Sequence, residues 1–316
     1  MRGVDAIMAA RRAESFAKRS IKAGSKLQAL RCALSMLDLT TLEGKDTAGK
    51  VRALCAKAIR PVDVPAGSPA PDPPVPHVAA VCVYPTMVPI AREALQGSGV
   101  KVAAVATGFP SGQYPLDIRL RDCADAIAAG ADEIDMVVSR GLFLAGRHDE
   151  VAREIRETRA LCACPPAGRP AHLKVILETG ELETLDNVRR ASDLAIDAAC
   201  SVPGLPLPVD GDVFIKTSTG KVQPAATMPV TLVMLEAIRD AFLGRGIRVG
   251  MKPAGGIRTA KQAIAYLVMV KETLGDEWLS PRLFRFGASA LANDLARQVL
   301  RMDGGRYAAS YDVSEA

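Results

Sequence analysis

The segment 212–221, "DVFIKTSTGK", begins as an apolar strand and changes character at a lysine. Val213, Phe214 and Ile215 form a continuous apolar run, which is typical of a strand that is buried on both faces. The segment that follows, "AATMPVTLVMLEAIRDAFLG" (225–244), has apolar residues at spacings of three and four, which predicts an amphipathic helix. A buried strand followed by such a helix is the repeating unit of parallel α/β proteins.

The same unit recurs along the chain. Eight apolar runs of strand length are followed by helical patterns, at residues 33–39, 77–85, 101–110, 132–139, 173–179, 212–219, 247–256 and 283–289. Helices are expected at 46–59 and at 225–244, where Gly244 would cap the end. This count predicts an α/β fold, a single (β/α)8 or TIM barrel. A doubly wound open sheet is the alternative, because the pattern alone does not show closure.

Several segments depart from the repeating unit. Residues 1–26 are basic and predict an N-terminal helical extension, with a mitochondrial presequence as the alternative. The barrel is expected to span 27–302 as one domain, followed by a C-terminal tail at 303–316. Proline dominates residues 60–76, which predicts a stiff surface loop, and 201–211 resembles a shorter insertion of the same kind.

Composition and charge exclude several classes of protein. The 316 residues are 49% hydrophobic and 24% charged, which is enough to bury one large core. No apolar run reaches the length of a membrane span, and no Lys/Arg block interleaved with aromatic residues indicates nucleic-acid binding. The net charge of +5 suits anionic small molecules. Seven scattered cysteines and three histidines predict no structural metal and fit a reducing cytoplasm.

Charged residues interrupt the apolar runs near their predicted ends. Asp135 lies in the fourth run, Lys216 in the sixth and Lys252 in the seventh. Active sites of such barrels lie at the carboxyl ends of the strands, so we expect these side chains to meet. A lysine becomes nucleophilic when burial or a second cation destabilises its ammonium, and the neutral amine forms a Schiff base with a carbonyl. A buried ion network that only holds the barrel together is the structural alternative.

Glycines follow the last two predicted strands. They occur in "PAGGIR" (253–258) and "FGAS" (286–289), and each segment leads into a helical pattern. Backbone N–H groups at a helix N-terminus bind phosphate, and barrels use the loops after strands seven and eight for this purpose. Lys221 and Arg258 would add positive charge to the same site. The sequence therefore predicts a phosphorylated substrate.

A set of motifs spread in order over residues 27–302 resembles the deoxyribose-phosphate aldolase family, particularly its longer, animal-type members. The motifs are "DLTTLEG", "VCVYP", "VATGFPSGQ", "ADEIDMVV", "LKVILETGEL", "FIKTSTGK", "KPAGGIRT" and "FGAS". The resemblance implies a (β/α)8 barrel and a class I aldolase that needs no metal or cofactor. It also implies reversible cleavage of 2-deoxy-D-ribose 5-phosphate to D-glyceraldehyde 3-phosphate and acetaldehyde, in deoxyribonucleotide catabolism.

The matching motifs also imply roles for individual residues. Lys216 would form the Schiff base, Lys252 would perturb the pKa of Lys216, and Asp135 would relay protons. The positions that match the lining of the substrate pocket are Asp38, Thr40, Cys82, Lys174 and Thr219. The positions that match the phosphate site are Gly220, Lys221, Gly255, Gly256, Ile257, Arg258, Gly287 and Ser289.

Some points stay open at the level of sequence. Ala290 stands where some members of the family have a second serine, and Tyr307 and Tyr311 do not end the chain as an assisting tyrosine does in some members. One alternative function is a barrel lyase that uses the same lysine on another carbonyl substrate. Another is a sugar-phosphate-binding protein without turnover. The sequence also leaves the oligomeric state open, and a homo-oligomer is one of the options.

Overall fold

A seven-stranded parallel sheet lies at the centre of the computed structural model, which describes residues 3–62 and 73–304. The strands pair in the order in which they occur along the chain. They are β1 (Asp38–Thr40), β2 (Ala80–Val83), β3 (Lys101–Ala106), β4 (Glu133–Val137), β5 (His172–Ile176), β6 (Val213–Lys216) and β7 (Gly250–Lys252). The six apolar runs from 77–85 to 247–256 coincide with β2 to β7, as the sequence predicts. Most of the proline-rich loop (63–72), and the tail that contains Tyr307 and Tyr311, lie outside the described residues.

Helices connect the strands and cover the sheet, because parallel neighbours need a long crossover. They are α1 (Ala6–Ala17), α2 (Ala23–Ser35), α3 (Ala48–Ile59), α4 (Val88–Ala94), α5 (Leu116–Ala128), α6 (Arg140–Leu144), α7 (His148–Ala163), α8 (Leu185–Cys200), α9 (Met228–Arg245), α10 (Ala260–Leu274) and α11 (Ser289–Gly304). Short 3₁₀ helices occur at Pro85–Met87, Thr179–Glu181 and Asp276–Trp278. In the two described ranges, no helix combines the length and the apolar character needed to cross a bilayer.

The segment 283–287 lies between the two outer strands of the sheet. On one side, the Met251 N–H of β7 donates to the Leu283 carbonyl at 2.9 Å. On the other side, the Asp38 N–H of β1 donates to the Phe286 carbonyl at 2.9 Å. These contacts are isolated bridges. The sequence predicts a regular eighth strand here, but the segment is not one. Its backbone nevertheless joins both edges of the sheet.

The prediction of a strand at 33–39 is wrong for most of its length. Helix α2 continues to Ser35, and β1 begins only at Asp38. Leu34 and Leu37 are fully buried, so the apolar run extends from the end of the helix into the strand without a change in composition. A short buried run has no polar face that would reveal its period, and a helix end and a strand then look alike.

Helix α9 begins and ends at residues with specific capping roles. The Thr227 side chain accepts a hydrogen bond from the Val230 N–H, as an N-cap threonine does. At the other end, Gly246 has a φ of 68°, and its N–H donates to the Phe242 carbonyl. The prediction of a cap at Gly244 is therefore wrong by two residues, because the left-handed conformation falls on the second of two nearby glycines.

Helix α1 packs on the outside of the helical layer, against α9 and α10. Its apolar side buries Ala9, Ala13 and Phe16. Arg12, on the same helix, forms an ion pair with Glu236 of α9. Burial of an apolar stripe against two helices explains why this short helix is stable in place.

Candidate active site

A group of seven charged side chains meets inside the curled sheet and is almost fully buried. Its members are Asp38, Glu133, Asp135, Lys174, Lys216, Lys252 and Arg285. The register of the parallel strands places several of them side by side. Asp135 of β4 is opposite Lys174 of β5, and Lys216 of β6 is opposite Lys252 of β7. Residues two apart on a strand face the same side, which places Glu133 with Asp135. Buried charges are stable only when they are paired, so the contacts within this group determine its chemistry.

Asp135 is the centre of the group. Its Oδ2 accepts hydrogen bonds from Lys216 Nζ at 2.7 Å and from Lys252 Nζ at 2.8 Å. Its Oδ1 lies 3.2 Å from Lys174 Nζ. Lys252 Nζ also lies 2.6 Å from Oδ2 of Asp38. The three residues that the sequence analysis predicts to be catalytic therefore meet at one carboxylate.

Lys216 differs from Lys252 in its electrostatic environment. Burial lowers the pKa of Lys216; Asp135 opposes this and the Lys252 ammonium adds to it, so that the pKa lies below its usual value. Burial would also lower the pKa of Lys252, but Asp135 and Asp38 together raise it above its usual value. Burial opposes ionisation of Asp135, yet three ammonium groups hold its pKa well below the ordinary range. Lys216 is therefore the lysine of this pair that loses its proton more readily.

Sequence reasoning missed Arg285. Its Nη1 donates to Oδ1 of Asp38 at 2.8 Å, and its Nη2 donates to Oε1 of Glu133 at 2.8 Å. Glu133 in turn accepts a hydrogen bond from Lys174. The signal was present in "LFRFGAS", where an arginine interrupts a buried apolar run in the same way as Lys216 does. Applied to the eighth run, the rule that singled out the lysines would have found it.

A cavity of about 320 Å³ lies at the carboxyl ends of the strands, with Lys216 in its wall. The Lys216 side chain reaches it while staying 3% exposed. The predicted substrate and phosphate residues that line this cavity are Thr40, Thr219, Gly220, Lys221, Gly255, Gly287 and Ser289. Other lining residues are Thr41, Leu42, Glu43, Lys50, Leu54 and Ala254. A space of this size accommodates a small metabolite.

The remaining predicted site residues lie elsewhere. Five of them are buried and do not line the cavity, namely Asp38, Cys82, Asp135, Lys174 and Lys252. Gly256 and Ile257 line a separate cavity of about 430 Å³, together with Ala17 of α1. The backbone N–H of Arg258 donates to the side-chain oxygen of Gln262 at 2.8 Å, close to the cap of α10. The structure thus divides the predicted phosphate residues between two neighbouring regions.

Cys82 contributes a neutral thiol. Its Sγ lies 4.0 Å from Oδ2 of Asp135, and burial, assisted by that carboxylate, raises the pKa of the thiol to about 11. A thiol in this state is neither a nucleophile nor a metal ligand at neutral pH. Across residues 3–62 and 73–304, no group of three or more His, Cys, Asp or Glu side chains is arranged to hold a metal ion.

Glycines allow the backbone to approach the cavity closely. Gly220 and Gly255 have φ values of 79° and 77°, a conformation that side chains rarely tolerate. A Cβ at Gly255 would also lie 2.7 Å from the Cβ of Ala225. A Cβ at Gly287 would lie 2.7 Å from the Cβ of Ala254. Larger residues at Gly255 and Gly287 would displace the wall of the cavity.

Ser289 and Lys221 bring polar atoms to the same wall. Ser289 begins α11, and its Oγ accepts from the Thr40 N–H at 2.7 Å and donates to the Thr40 carbonyl at 2.9 Å. Lys221 Nζ lies 2.8 Å from Oε1 of Glu43. A helix N-terminus and a lysine are both features that attract a phosphate group.

Glu178, which was not among the candidate site residues, fixes the turn after β6. Its backbone lies in the left-handed region, with a φ of 53°. Its carboxylate accepts from the Thr219 N–H at 3.2 Å and from the Thr219 hydroxyl, whose oxygen accepts from the Lys221 N–H at 3.1 Å. Burial raises the pKa of Glu178, although the bonds from Thr219 oppose this effect. The chain of contacts joins the end of β5 to the lysine at the cavity.

The fold and the site together define a class of protein. A parallel α/β sheet with a cavity and a group of buried charged side chains at the carboxyl ends of its strands is the arrangement of an enzyme. Comparison with known proteins gives the family. The model described as "DeoC/LacD family aldolase" matches residues 32–296. The chain belongs to this family of aldolases.

Individual relatives agree with this assignment. The deoxyribose-phosphate aldolases of Homo sapiens and Mus musculus are each 46% identical over 308 residues, which cover 96% of this chain and 91% of theirs. The tetrameric deoxyribose phosphate aldolase of Aeropyrum pernix has a solved structure with a TM-score of 0.59 at 20% identity, covering 90% of this chain and 100% of that chain. At that identity, the structural likeness shows a shared fold.

Proposed function

We propose that the protein is a class I aldolase that reversibly cleaves 2-deoxy-D-ribose 5-phosphate to D-glyceraldehyde 3-phosphate and acetaldehyde. The observation that carries the proposal is Lys216, a buried lysine at the cavity whose pKa is lowered and whose Nζ lies 2.7 Å from Asp135. The 46% identical relatives bear the name of this activity. The substrate and acetaldehyde are the small-molecule partners, and the reaction uses no cofactor.

In the first step, the neutral Nζ of Lys216 attacks C1 of the open-chain aldehyde and forms a carbinolamine. Lys252, which Asp135 and Asp38 hold charged, gives a proton to the carbinolamine oxygen, and this oxygen leaves as water. The product is a protonated imine at C1. The positive charge that Lys252 gives up now lies on the imine, so the net charge of the site is unchanged and Asp135 stabilises the imine.

In the second step, the C2–C3 bond breaks, because the iminium at C1 accepts the electron pair of that bond. The C3 hydroxyl loses its proton to Lys252, now neutral, and C3 becomes the aldehyde of glyceraldehyde 3-phosphate. The enamine that remains takes the proton at C2, and hydrolysis of the imine releases acetaldehyde and Lys216. Asp135 holds the lysines in place throughout and guides the proton through bound water.

The phosphate group of the substrate binds at the wall opposite the imine, which orients the sugar chain and supplies binding energy to the reacting carbons. The residues assigned to it are Gly220, Lys221, Gly255, Gly256, Ile257, Arg258, Gly287 and Ser289. Gly220, Lys221, Gly255, Gly287 and Ser289 are supported by their place in the cavity wall, which includes the N-terminus of α11. Gly256, Ile257 and Arg258 follow Gly255 directly in the chain but do not line this cavity. Asp38, Thr40, Cys82, Lys174 and Thr219 complete the substrate site.

We also infer the finer architecture and the compartment. The segment 283–287 acts as the eighth strand, so that residues 27–302 form one closed (β/α)8 barrel, with an N-terminal helical extension at 1–26 and a tail at 303–316. The backbone bonds of 283–287 to β7 and β1 support closure. The protein acts in the cytoplasm, a placement supported by its seven cysteines, which are free thiols.

Borohydride trapping tests the assignment of Lys216. With acetaldehyde, reduction should leave an ethyl group on the peptide that contains Lys216, and Lys216→Arg should be neither labelled nor active. Lys101→Arg, at the exposed start of β3, is the matched control and should behave as the wild type. Labelling of the Lys216→Arg protein would contradict the proposal, as would loss of activity in EDTA, which would indicate a metal-dependent mechanism.

Retro-aldol rates across a series of sugar phosphates test the substrate. We expect the highest kcat/KM for 2-deoxy-D-ribose 5-phosphate and a much lower value for unphosphorylated 2-deoxyribose. A clear preference for another sugar phosphate would reassign the substrate. Tight binding with neither turnover nor imine trapping would instead support a sugar-phosphate-binding protein.

A further inference from the structure

Six of the seven buried charges form a closed ring in which positive and negative groups alternate. In order round the ring, its members are Asp135, Lys174, Glu133, Arg285, Asp38 and Lys252. Each group forms an ion pair with the next, and Lys252 closes the ring on Asp135 at 2.8 Å. We call this set the charge ring. It contains three cations and three carboxylates, so it is neutral when all of its members are ionised.

Lys216 lies outside the charge ring and is the surplus cation of the site. Each cation of the ring contacts two carboxylates: Lys174 contacts Glu133 and Asp135, Arg285 contacts Asp38 and Glu133, and Lys252 contacts Asp38 and Asp135. Lys216 has one ion pair within the described part of the chain, with Asp135 at 2.7 Å. An unpaired positive charge in a low-dielectric site costs free energy, and this cost disappears when one amine loses its proton. The ammonium with the fewest carboxylate partners loses its proton first.

The other titratable groups around the site do not change this balance. Cys82 is a neutral thiol, and His172, whose Nδ1 lies 4.0 Å from Glu133, has a pKa that burial lowers. Strand β3 contributes Ala103 and Val105, which are apolar and belong to a small buried cluster with Cys82. On the cavity side, the two lysines are paired with acidic partners of their own, Lys50 with Asp46 and Lys221 with Glu43.

We propose that Arg285 is a positioning residue for the Schiff-base reaction: by closing the charge ring through Asp38 and Glu133, it leaves Lys216 as the cation with a single carboxylate. The inference rests on the proposed function of Lys216. Arg285 is absent from the described lining of the cavity and acts through its neighbours. A guanidinium suits this role because it stays charged at every physiological pH and binds two carboxylates with one planar fork.

The position of Arg285 is itself well determined. Its Nε donates to the Pro281 carbonyl, and its guanidinium lies 5.8 Å from the centre of the Phe214 ring on β6. Lys174 lies 5.9 Å from the centre of the same ring. The Phe214 ring therefore lies within cation–π distance of two cations of the charge ring.

The test measures how the rate of imine formation at Lys216 depends on pH, with acetaldehyde as the probe, cyanoborohydride as the trap and peptide mapping as the readout. Arg285→Met removes one cation, so the Lys216 ammonium becomes the charge that neutralises the site. Its pKa should rise, and the acid limb of the profile should move upward by about one pH unit, which is about a tenfold slower reaction on that limb. Arg285→Lys keeps the charge and should leave the limb close to its wild-type position.

A double variant separates charge from structural damage. Arg285→Met with Glu133→Gln removes one cation and one carboxylate, which restores one surplus cation, and the limb should return at least half of the way towards wild type. A merely structural role predicts that the double variant is no better than Arg285→Met and that only the amplitude falls. If Arg285→Met does not give a folded protein by circular dichroism, Arg285→Gln replaces it, because glutamine keeps donors for the carboxylates.

The outcomes distinguish the two proposals. If Lys216 is not labelled in the wild type, the proposed function fails before Arg285 is considered. If Lys216 is labelled but the limb stays in place in the neutral variants of Arg285, the role of Arg285 is wrong and the proposed function stands.

Discussion

At the scale of single residues, three lysines inside one curled sheet have different chemistry. The pKa values of Lys174 and Lys252 are raised because carboxylates outweigh the effect of burial, whereas the pKa of Lys216 is lowered because burial outweighs its one carboxylate. Lysine as a residue type therefore does not identify the nucleophile. The number of carboxylates within contact distance separates Lys216, the proposed nucleophile, from the other two lysines.

Lys252→Leu tests the contribution of the second cation. Without Lys252, the ammonium of Lys216 is the remaining partner of Asp135 on that side, so the pKa of Lys216 should rise. The acid limb of kcat/KM against pH should move upward by about one unit or more. Lys101→Leu, at the exposed start of β3, is the control. An unchanged limb would mean that burial alone activates Lys216.

Thr219→Val tests the turn that Glu178 fixes. Valine has the shape of threonine but loses the hydroxyl that bonds the Glu178 carboxylate. Loss of a hydrogen bond to a charged group should raise KM for 2-deoxy-D-ribose 5-phosphate about tenfold. Unphosphorylated 2-deoxyribose should be affected much less, because the turn leads to Lys221 in the proposed phosphate site. An equal loss with both substrates would show that Thr219 acts at the reacting carbons instead.

Thr273→Val is the matched control for that change. The Thr273 side chain is buried on α10, and its hydroxyl makes no hydrogen bond within the described residues. Removal of an unsatisfied buried hydroxyl should leave the kinetics unchanged and the stability unchanged or slightly higher.

At the scale of secondary-structure elements, helix α1 is held by its apolar side. Phe16→Ala should lower the free energy of unfolding by about 3 kcal/mol, because it removes a ring that is buried against the helical layer. Ile7→Ala on the same helix is the control, since Ile7 is 68% exposed, and it should change stability by less than about 0.5 kcal/mol. Urea unfolding measures both variants. Equal effects would show that α1 is not docked as described.

The Phe214 ring of β6 lies against the backbone of β7 because β7 begins with a glycine. A Cβ at Gly250 would lie 2.4 Å from the ring of Phe214. Gly250→Ala should therefore destabilise the protein by about 1–3 kcal/mol through overpacking. Gly44→Ala is the control, because a Cβ at Gly44 would meet no heavy atom of the described residues within 4 Å and the φ of Gly44 is not positive. A thermal melt of Gly250→Ala that matches the wild type would contradict the close packing.

At the scale of the whole molecule, the charge ring couples stability to pH. Burial opposes ionisation of Asp38, Glu133 and Asp135, but the surrounding cations hold all three pKa values below their usual range. A carboxylate with a lower pKa in the folded state stabilises the fold above its unfolded pKa. That stabilisation is lost as the pH falls towards the folded pKa.

The free energy of unfolding should therefore be constant near neutral pH and fall steeply below about pH 4, where unfolded carboxylates begin to bind protons. Urea titrations at a series of pH values measure the slope. The double variant Arg285→Met with Glu133→Gln should have a shallower slope, because it has one fewer buried carboxylate. Stability that is independent of pH between about 5 and 3 would contradict the ionised state of the ring.

The sequence by itself determined the local features of this protein. Strands β2 to β7 were predictable because each lies in a largely apolar run bounded by turn residues. Lys216, Lys252 and Asp135 stood out because each interrupts such a run. The motifs around them also indicated the aldolase family, which the comparisons show. These are properties that neighbouring residues express together, so no knowledge of distant contacts was needed.

Only the tertiary structure decided the features that depend on distant residues. The start of β1, the bridging role of 283–287 and the division of the predicted phosphate residues between two cavities follow from packing, which a local pattern does not contain. The same is true of Arg285, which contacts Asp38 from 247 residues away. The balance between burial and nearby charges decides which lysine loses its proton, and only the folded chain brings those charges together.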